Sequence, residues 1–275
     1  MGMKRVATQT WFVLLVSAGC VSGQVGHSPR ESSSSHSIVD DNGISLNGLM
    51  TNGLMTNGLT VNGVQMNGVQ MNGVQMNGFS INGLSLDESL LVMKYLVKCA
   101  LADGQTMTIN VDGTDYSWPG RLGLAPEWAN GPLTSEASQD WVSGCLLALA
   151  NADGQSVSIS LRADALPYDL DEVAGYSVAE ATYFGNLFAK TPWAFACPSF
   201  GSQDQDHLSA IGRRCGMGLN FNPDPIGTSQ CNFSLAPWCR SPYRCLYVDN
   251  VSPGQRGGYF RCTDAGSITV YDQSY

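Results

Sequence analysis

A period of five residues sets the apolar and polar pattern in the N-terminal part of this 275-residue chain. Between residues 42 and 86 an Asn-Gly pair recurs at every fifth position, and each pair is followed by a large aliphatic or aromatic residue. A second, mostly apolar residue comes two positions later, as at Met66 and Ile81. Because Asn and Gly favour turns and left-handed backbone, this period excludes a continuous helix. It predicts short extended segments with a corner at each Asn-Gly pair.

Units such as Val64-Gln65-Met66-Asn67-Gly68 resemble the repeats of the pentapeptide-repeat family. The resemblance covers residues 42–86 and implies a right-handed quadrilateral β-helix, with four units in each turn. Successive turns would stack at the strand spacing of about 4.8 Å. A low-complexity stalk is the alternative interpretation, because nine units are few for a solenoid that stacking must stabilise.

The first 20 residues have the pattern of a bacterial secretory signal. Two basic residues precede the apolar run WFVLLV, and small residues follow it. The run is too short to span a membrane, which takes about 20 apolar residues. The segment SAGC resembles the lipobox of bacterial lipoproteins, which implies a signal peptide over residues 1–19 and lipid attachment at Cys20. The alternative is ordinary cleavage after Ala18, with a free thiol at Cys20.

The rest of the chain divides by composition into a tether, the repeat and a globular part. Residues 20–41 are Ser-rich and nearly without apolar side chains, so we expect a flexible tether to precede the repeat at 42–86. Residues 87–196 predict a small domain, and residues 197–275, rich in Cys, Gly and Pro, predict a lobe stapled by disulfides. The predicted fold class is therefore α+β, a short quadrilateral β-helix followed by a small α+β domain with a disulfide-rich C-terminal lobe.

A helix–strand unit occurs twice in the predicted α+β domain. Helical spacing ends at the ADGQ segment of residues 102–105, and the alternating strand TMTINV follows. A second helix begins after Ser135 and precedes another ADGQ at residues 152–155, followed by SVSISL. Asp112 and Gly113 predict a hairpin turn after the first strand.

Two more elements are predicted beyond the duplicated unit. The apolar spacing from Val178 to Lys190 predicts a third helix, and the alternation SITVY at residues 267–271 predicts a closing strand. Trp128 lies in a Gly- and Pro-containing loop, and its side chain is predicted to be buried.

Nine cysteines in an exported chain indicate disulfides with one cysteine left over. Lipidation of Cys20 would leave an even number. The predicted helices place Cys99 and Cys145 on the same face, so we expect a bridge between them, and the nearest-neighbour pairing in the tail is Cys197 with Cys215. The disulfide candidates are Cys99, Cys145, Cys197, Cys215, Cys231, Cys239, Cys245 and Cys262. Zinc-type Cys-x2-Cys pairs are absent from the sequence, so we expect no metal site and no cofactor.

The sequence contains little that indicates catalysis. Charged residues make up 13% of the chain, the net charge is −9 and no run of basic residues occurs, which excludes nucleic-acid binding. No nucleophile elbow, HExxH motif or P-loop is present, so no catalytic residue is assigned. His207 is the one histidine downstream of the signal and tether, and with Asp204 or Asp206 it could form an acid–base pair. The alternative for these residues is a solvated loop.

Two functions are compatible with these features. The first is a non-enzymatic cell-envelope or surface lipoprotein with a structural or binding role, held on the membrane by its lipid, with an envelope protein or a polysaccharide as partner. In its order of signal, repeat, compact domain and Cys-rich tail the chain resembles exported bacterial lipoproteins. The outer membrane or cell surface is the expected location, and the periplasm or the medium is the alternative. The second function is a secreted hydrolase that uses His207 with Asp204 or Asp206.

Exposed aromatic side chains would support a saccharide-binding role, because their rings stack on sugars. The candidates are Trp118, Trp193, Trp238 and Tyr243, and burial in a core is the alternative for each.

Overall fold

The computed structural model describes most of the chain from residue 85 onward and four two-residue strands before that residue. The described residues are 85–130, 133–151, 157–166, 168, 170–189, 192–198, 213, 215, 245–248, 258–262 and 265–273, with the backbone of 37–38, 61–62, 75–76, 80–81 and 234–235.

The described helices are α1 (Leu86–Ala100), α2 (Glu136–Ala148) and α3 (Leu170–Gly175), with a 3-10 turn at Pro126–Ala129. None of them is both long enough and apolar enough to cross a membrane. The described strands are β1 (Ser37–Ile38), β2 (Val61–Asn62), β3 (Gln75–Met76), β4 (Ser80–Ile81), β5 (Thr106–Val111), β6 (Thr114–Pro119), β7 (Ile159–Arg162), β8 (Val178–Asn186), β9 (Trp193–Pro198), β10 (Ser234–Leu235), β11 (Cys245–Val248), β12 (Tyr259–Cys262) and β13 (Ser267–Asp272).

The largest sheet has the strand order β1-β7-β13-β8-β9-β10. Its neighbouring strands are antiparallel, except that β9 and β10 are parallel. The C-terminal strand β13 lies between β7 and β8, with Val270 opposite Ala181 and Thr269 opposite Arg162. All six residues of β13 are buried, so the predicted closing strand is a central strand of the core.

The first predicted helix–strand unit is present with its hairpin. Ser85 caps α1 through a capping box, in which its hydroxyl accepts from the Glu88 backbone N–H and the Glu88 carboxylate accepts from the Ser85 N–H. Strand β5 is the predicted TMTINV segment, and it pairs with β6 across Asp112 and Gly113. Both turn residues have positive φ, 50° and 86°, which Asn, Asp and Gly tolerate best.

Helix α2 packs across β8 and β13, and this contact forms the main core. Gly144 allows the close approach, because a Cβ there would lie 2.7 Å from the carbonyl oxygen of Gly266. The buried Ser143 hydroxyl accepts a hydrogen bond from the backbone N–H of Leu187 at 2.9 Å. On the other side of α2, the disulfide Cys99–Cys145 joins it to α1.

The predicted fold class is wrong in its β-helix and in its separate C-terminal lobe. In the repeat, Val61 pairs with Ile81 and Asn62 with Ser80 in antiparallel register, whereas stacked turns of a single-handed coil would pair strands in parallel. Strands β10 and β13 of the Cys-rich segment belong to the large sheet, and the six buried residues of β13 complete its core. The described part from residue 85 onward is thus an antiparallel, sheet-rich domain with three helices.

The helix predicted from Val178 to Lys190 is also wrong, since residues 178–186 form strand β8. A strand with covered faces on both sides buries consecutive residues, so its sequence lacks the alternation that would distinguish it from a helix. Eight of its nine residues are buried. Gly185 fits this position because a Cβ there would lie 2.3 Å from the carbonyl oxygen of Trp193.

Candidate functional site

A cleft of about 480 Å³ lies between the N-terminal half of α2 and the turn that joins β12 to β13. Three carboxylates, a guanidinium group and an indole line it. The residues that carry these groups are Glu136, Asp140, Asp164, Arg261 and Trp141.

The α2 wall carries two carboxylates one helical turn apart. Glu136 is in the first turn of the helix and is exposed, whereas Asp140 is only 6% exposed. The Oδ1 atom of Asp140 has no hydrogen-bond partner among the described residues. Burial raises the pKa of the Asp140 carboxyl to about 6, a hydrogen bond with Asn186 opposes the shift, and the charge of Glu136 adds to it.

Trp141 follows Asp140 on α2 and is half-buried beside the β12–β13 turn. Gly266 lets the turn come this close, because a Cβ at Gly266 would lie 2.5 Å from the backbone nitrogen of Trp141 and 2.8 Å from its Cδ2 atom. The position of the indole is therefore fixed by backbone contact from the turn.

The opposite wall holds an ion pair. The Nη2 and Nε atoms of Arg261 donate to the two carboxylate oxygens of Asp164, and the hydroxyl of Tyr259 donates to the same carboxylate. These hydrogen bonds from Arg261 hold the pKa of Asp164 below its usual value despite partial burial. Because Asp164 is neutralised by Arg261, the uncompensated negative charge of the cleft belongs to Glu136 and Asp140.

A second acidic region lies at the C-terminal end of α2 and is closed to solvent. Glu180 on β8 and Arg213 form a fully buried ion pair, with 2.9 Å between Arg213 Nε and Glu180 Oε2. The hydroxyl of Tyr183 donates to Glu180 Oε1 at 2.5 Å. Arg213 also donates to the carbonyl oxygens of Ala148 and Ala150, at 2.7 and 2.5 Å, and thereby caps the helix.

The charges within this buried cluster shift the pKa values of its members. Burial lowers the pKa of Arg213 most strongly, but the charges of Glu180, Tyr183 and Asp272 and the hydrogen bond with Glu180 together outweigh burial, so the pKa is raised. The neighbouring Asp272 has its pKa raised to about 8 by burial and by the charge of Glu180, with Arg213 opposing. Asp272 is therefore protonated at neutral pH, which makes its burial tolerable.

The guanidinium group of Arg162 is also buried, and its contacts are structural. Its Nε donates to the Ser160 hydroxyl at 2.9 Å, and its Nη2 donates to the carbonyl oxygen of Tyr176 at 2.6 Å. The ring of Tyr271 lies 3.8 Å from its Cζ atom, in a cation–π contact. These contacts tie β7 to β13 and to the end of α3.

The structure tests part of the predicted cysteine chemistry. The Cys99–Cys145 bridge is confirmed, with 6.0 Å between the Cα atoms, and Cys245–Cys262 forms a second bridge between β11 and β12. Cys197 and Cys215 are also disulfide-bonded, and their pairing with each other stays a prediction. Disulfide bonds fit an oxidising environment outside the cytosol.

Several predicted residues lie outside the described part of the chain. They are Cys20, Asp204, Asp206, His207, Cys231, Cys239, Trp238 and Tyr243. Of the other aromatic candidates, Trp118 is 9% exposed, and Trp193 packs against Phe184 and Phe195. Neither lines the cleft. Among the described residues, no group of His, Cys, Asp and Glu side chains could hold a metal ion.

Sequence reasoning missed the cleft residues. For Glu136, Asp140 and Trp141 the sequence pattern predicts only a helix, although their spacing places two carboxylates on one face with an indole adjacent. The spacing of Glu136 and Asp140 could have indicated one wall of the cleft. Asp164 and Arg261 come from distant segments, and only folding brings them to the same cleft.

No protein-family model, no curated protein and no solved structure matches this chain.

Proposed function

We propose that this chain is a non-enzymatic, exported cell-envelope protein that binds a saccharide in the cleft between α2 and the β12–β13 turn. The observation that carries the proposal is the proximity of a half-buried indole, Trp141, to the buried carboxylate of Asp140, whose Oδ1 atom has no partner among the residues that the structure describes. A sugar offers an apolar face for the indole and hydroxyl groups that donate to carboxylates.

The opposite wall supports the same ligand class. Arg261 is 57% exposed at its side chain while it pairs with Asp164, so its remaining N–H groups face solvent and can donate to ring or hydroxyl oxygens. A cleft with donors on one wall and acceptors on the other matches hydroxyl groups, which both donate and accept.

Export and anchoring complete the proposal. Disulfides staple the folded domain, and residues 1–19 have the sequence pattern of a secretory signal peptide that precedes Cys20. A lipid on Cys20 would hold the saccharide-binding domain at the outer membrane or cell surface. Mass spectrometry of the mature protein should find a diacylglyceryl group on an N-terminal Cys20, and a mature chain that starts at Gly19 would contradict the anchor.

Calorimetric titration of the mature chain with trimers of N-acetylglucosamine and of glucosamine tests saccharide binding. We expect at least one trimer to bind, and Trp141→Ala to weaken that binding at least tenfold. The matched control is Trp193→Ala, since Trp193 is a half-buried indole outside the cleft. Failure of both trimers to bind, or equal binding by Trp141→Ala, would overturn the proposed function.

A further inference from the structure

We infer that the saccharide carries a protonated amine, which binds between Glu136 and Asp140 against the indole of Trp141. This inference rests on the proposed function and names the chemical class of its ligand.

The first argument is the charge of the cleft. Its charged groups are three carboxylates and one guanidinium, and Asp164 is already paired with Arg261. Neither Glu136 nor Asp140 has a cationic partner among the described residues. Like charges at i and i+4 of a helix repel, so the α2 wall carries a repulsion that a bound cation would remove.

The second argument is the burial of Asp140. A carboxylate that is 94% removed from solvent, and of which one oxygen has no hydrogen bond to any described residue, costs free energy. A neutral hydroxyl group can supply the missing hydrogen bond, but only a cation supplies both the bond and the opposite charge. Charge-assisted hydrogen bonds of this kind are about twice as strong as neutral ones.

The third argument is the position of Trp141. The indole is adjacent to Asp140 in sequence and is fixed by the backbone of Gly266, so an amine that reaches the carboxylates also lies near an aromatic ring. Indole is the best aromatic partner for a cation. The two carboxylates and the ring thus form three sides of one cation site.

The experiment is a calorimetric titration of the mature chain at pH 7 with three probes, the glucosamine trimer, the N-acetylglucosamine trimer and trilysine. The two sugars differ in amine charge, and trilysine offers amines without a sugar. We expect the glucosamine trimer to bind at least tenfold more tightly than the other two. Asp140→Asn should abolish the preference between the sugars.

Glu136→Gln provides a second variant, because its exposed side chain is not required for folding, and it should reduce the preference several-fold. Asp87→Asn is the control, since it removes one exposed carboxylate from the start of α1, away from the cleft. Equal binding of the two sugars, or tighter binding of the acetylated one, would overturn the proposal that the ligand carries an amine. Saccharide binding in the cleft would still be supported. Tighter binding of trilysine than of the glucosamine trimer would overturn the proposal that the ligand is an amino sugar. Failure of all three probes to bind would overturn both proposals.

Discussion

At the C-terminal end of α2, the buried carboxylate of Glu180 accepts hydrogen bonds from Arg213 and from Tyr183, and the same arginine caps the helix. At the N-terminal end, the buried Asp140 lines a cleft, and its Oδ1 atom has no hydrogen-bond partner within the described part of the chain. A satisfied buried network stabilises and specifies a fold, whereas an unsatisfied one costs stability. The two ends differ most in access. The Glu180–Arg213 pair is fully buried, and Asp272 Oδ2 beside it also lacks a partner among the described residues, whereas Asp140 lines a cleft that a ligand can enter.

Removing the guanidinium group of Arg213, at the C-terminal end of α2, should have the largest effect on the stability of the fold. Arg213→Met leaves the buried Glu180 charge without its cationic partner and removes the donors to the carbonyl oxygens of Ala148 and Ala150, so we expect the free energy of unfolding to fall by about 5 kcal/mol. Urea denaturation followed by circular dichroism measures this loss.

The double variant Glu180→Gln/Arg213→Met should recover most of that stability, because it leaves no buried charge. Arg261→Met breaks the exposed pair with Asp164 and should shift the denaturation midpoint little. If Arg213→Met were as stable as the wild type, the Glu180–Arg213 pair would not have the structural role assigned to it.

Removal of the Cys99–Cys145 disulfide should cause the second-largest loss of stability. Cys99→Ala/Cys145→Ala opens a loop of 46 residues and should cost about 4 kcal/mol, mainly through the entropy of the unfolded chain. The matched pair Cys245→Ala/Cys262→Ala opens a loop of 17 residues and should cost about 3 kcal/mol. Thermal denaturation of both variants tests the ranking, and a reversed order would show that native-state contacts outweigh loop entropy.

Stability should fall as pH rises, in two windows. Between about pH 4 and 6 the folded chain keeps protons on Asp140 and Asp272 that the unfolded chain has released, so the free energy of unfolding decreases. Between about pH 6 and 8 Asp272 continues the decrease, at about 1.4 kcal/mol per pH unit, and Glu180, whose pKa is also raised by burial, acts in the same direction. Asp164, whose pKa is lowered, acts in the opposite direction as pH falls through acid values.

Urea titrations at several pH values distinguish the two acids. Asp272→Asn should flatten the upper window, and Asp140→Asn should reduce the slope of the lower window only. A slope that neither variant changes would place the titrating groups elsewhere.

A side chain at Gly266, in the turn between β12 and β13, should lower stability less than the changes above. The Cβ of Gly266→Ala would meet the Trp141 backbone, so we expect a cost of about 2 kcal/mol and loss of saccharide binding. Gly175→Ala is the control, because nothing lies within 4 Å of a Cβ there. A Gly266→Ala variant that binds sugar normally would separate the turn from the ligand site.

Local sequence signals predicted α1, the β5–β6 hairpin and α2, since a cap, a turn pair and apolar spacing each act within a few residues. The Cys99–Cys145 bridge could be predicted for the same reason, because it needed only the faces of two helices. Strand β8 could not, because burial on both faces removes the alternation that marks a strand.

The cleft was beyond sequence reasoning for a different reason. Its α2 wall was visible as spacing, but the partners that decide its chemistry come from residues 164 and 261. Nothing in the sequence around these residues indicates that Arg261 pairs with Asp164 and that Asp140 has no cationic partner among the described residues. The antiparallel register of Val61 with Ile81 was equally hidden, because a five-residue period fixes corners but not strand direction.

The most direct test of the contrast between the two ends of α2 is a nuclear magnetic resonance titration of the isotope-labelled mature chain with the glucosamine trimer. We expect the resonances of the Trp141 indole N–H and the Gly266 backbone N–H to shift with the trimer concentration, while those of Tyr183 at the closed end stay in place. Shifts confined to the closed end, or no shift at Trp141 and Gly266 at saturating trimer, would contradict the assignment of the open end as the ligand site.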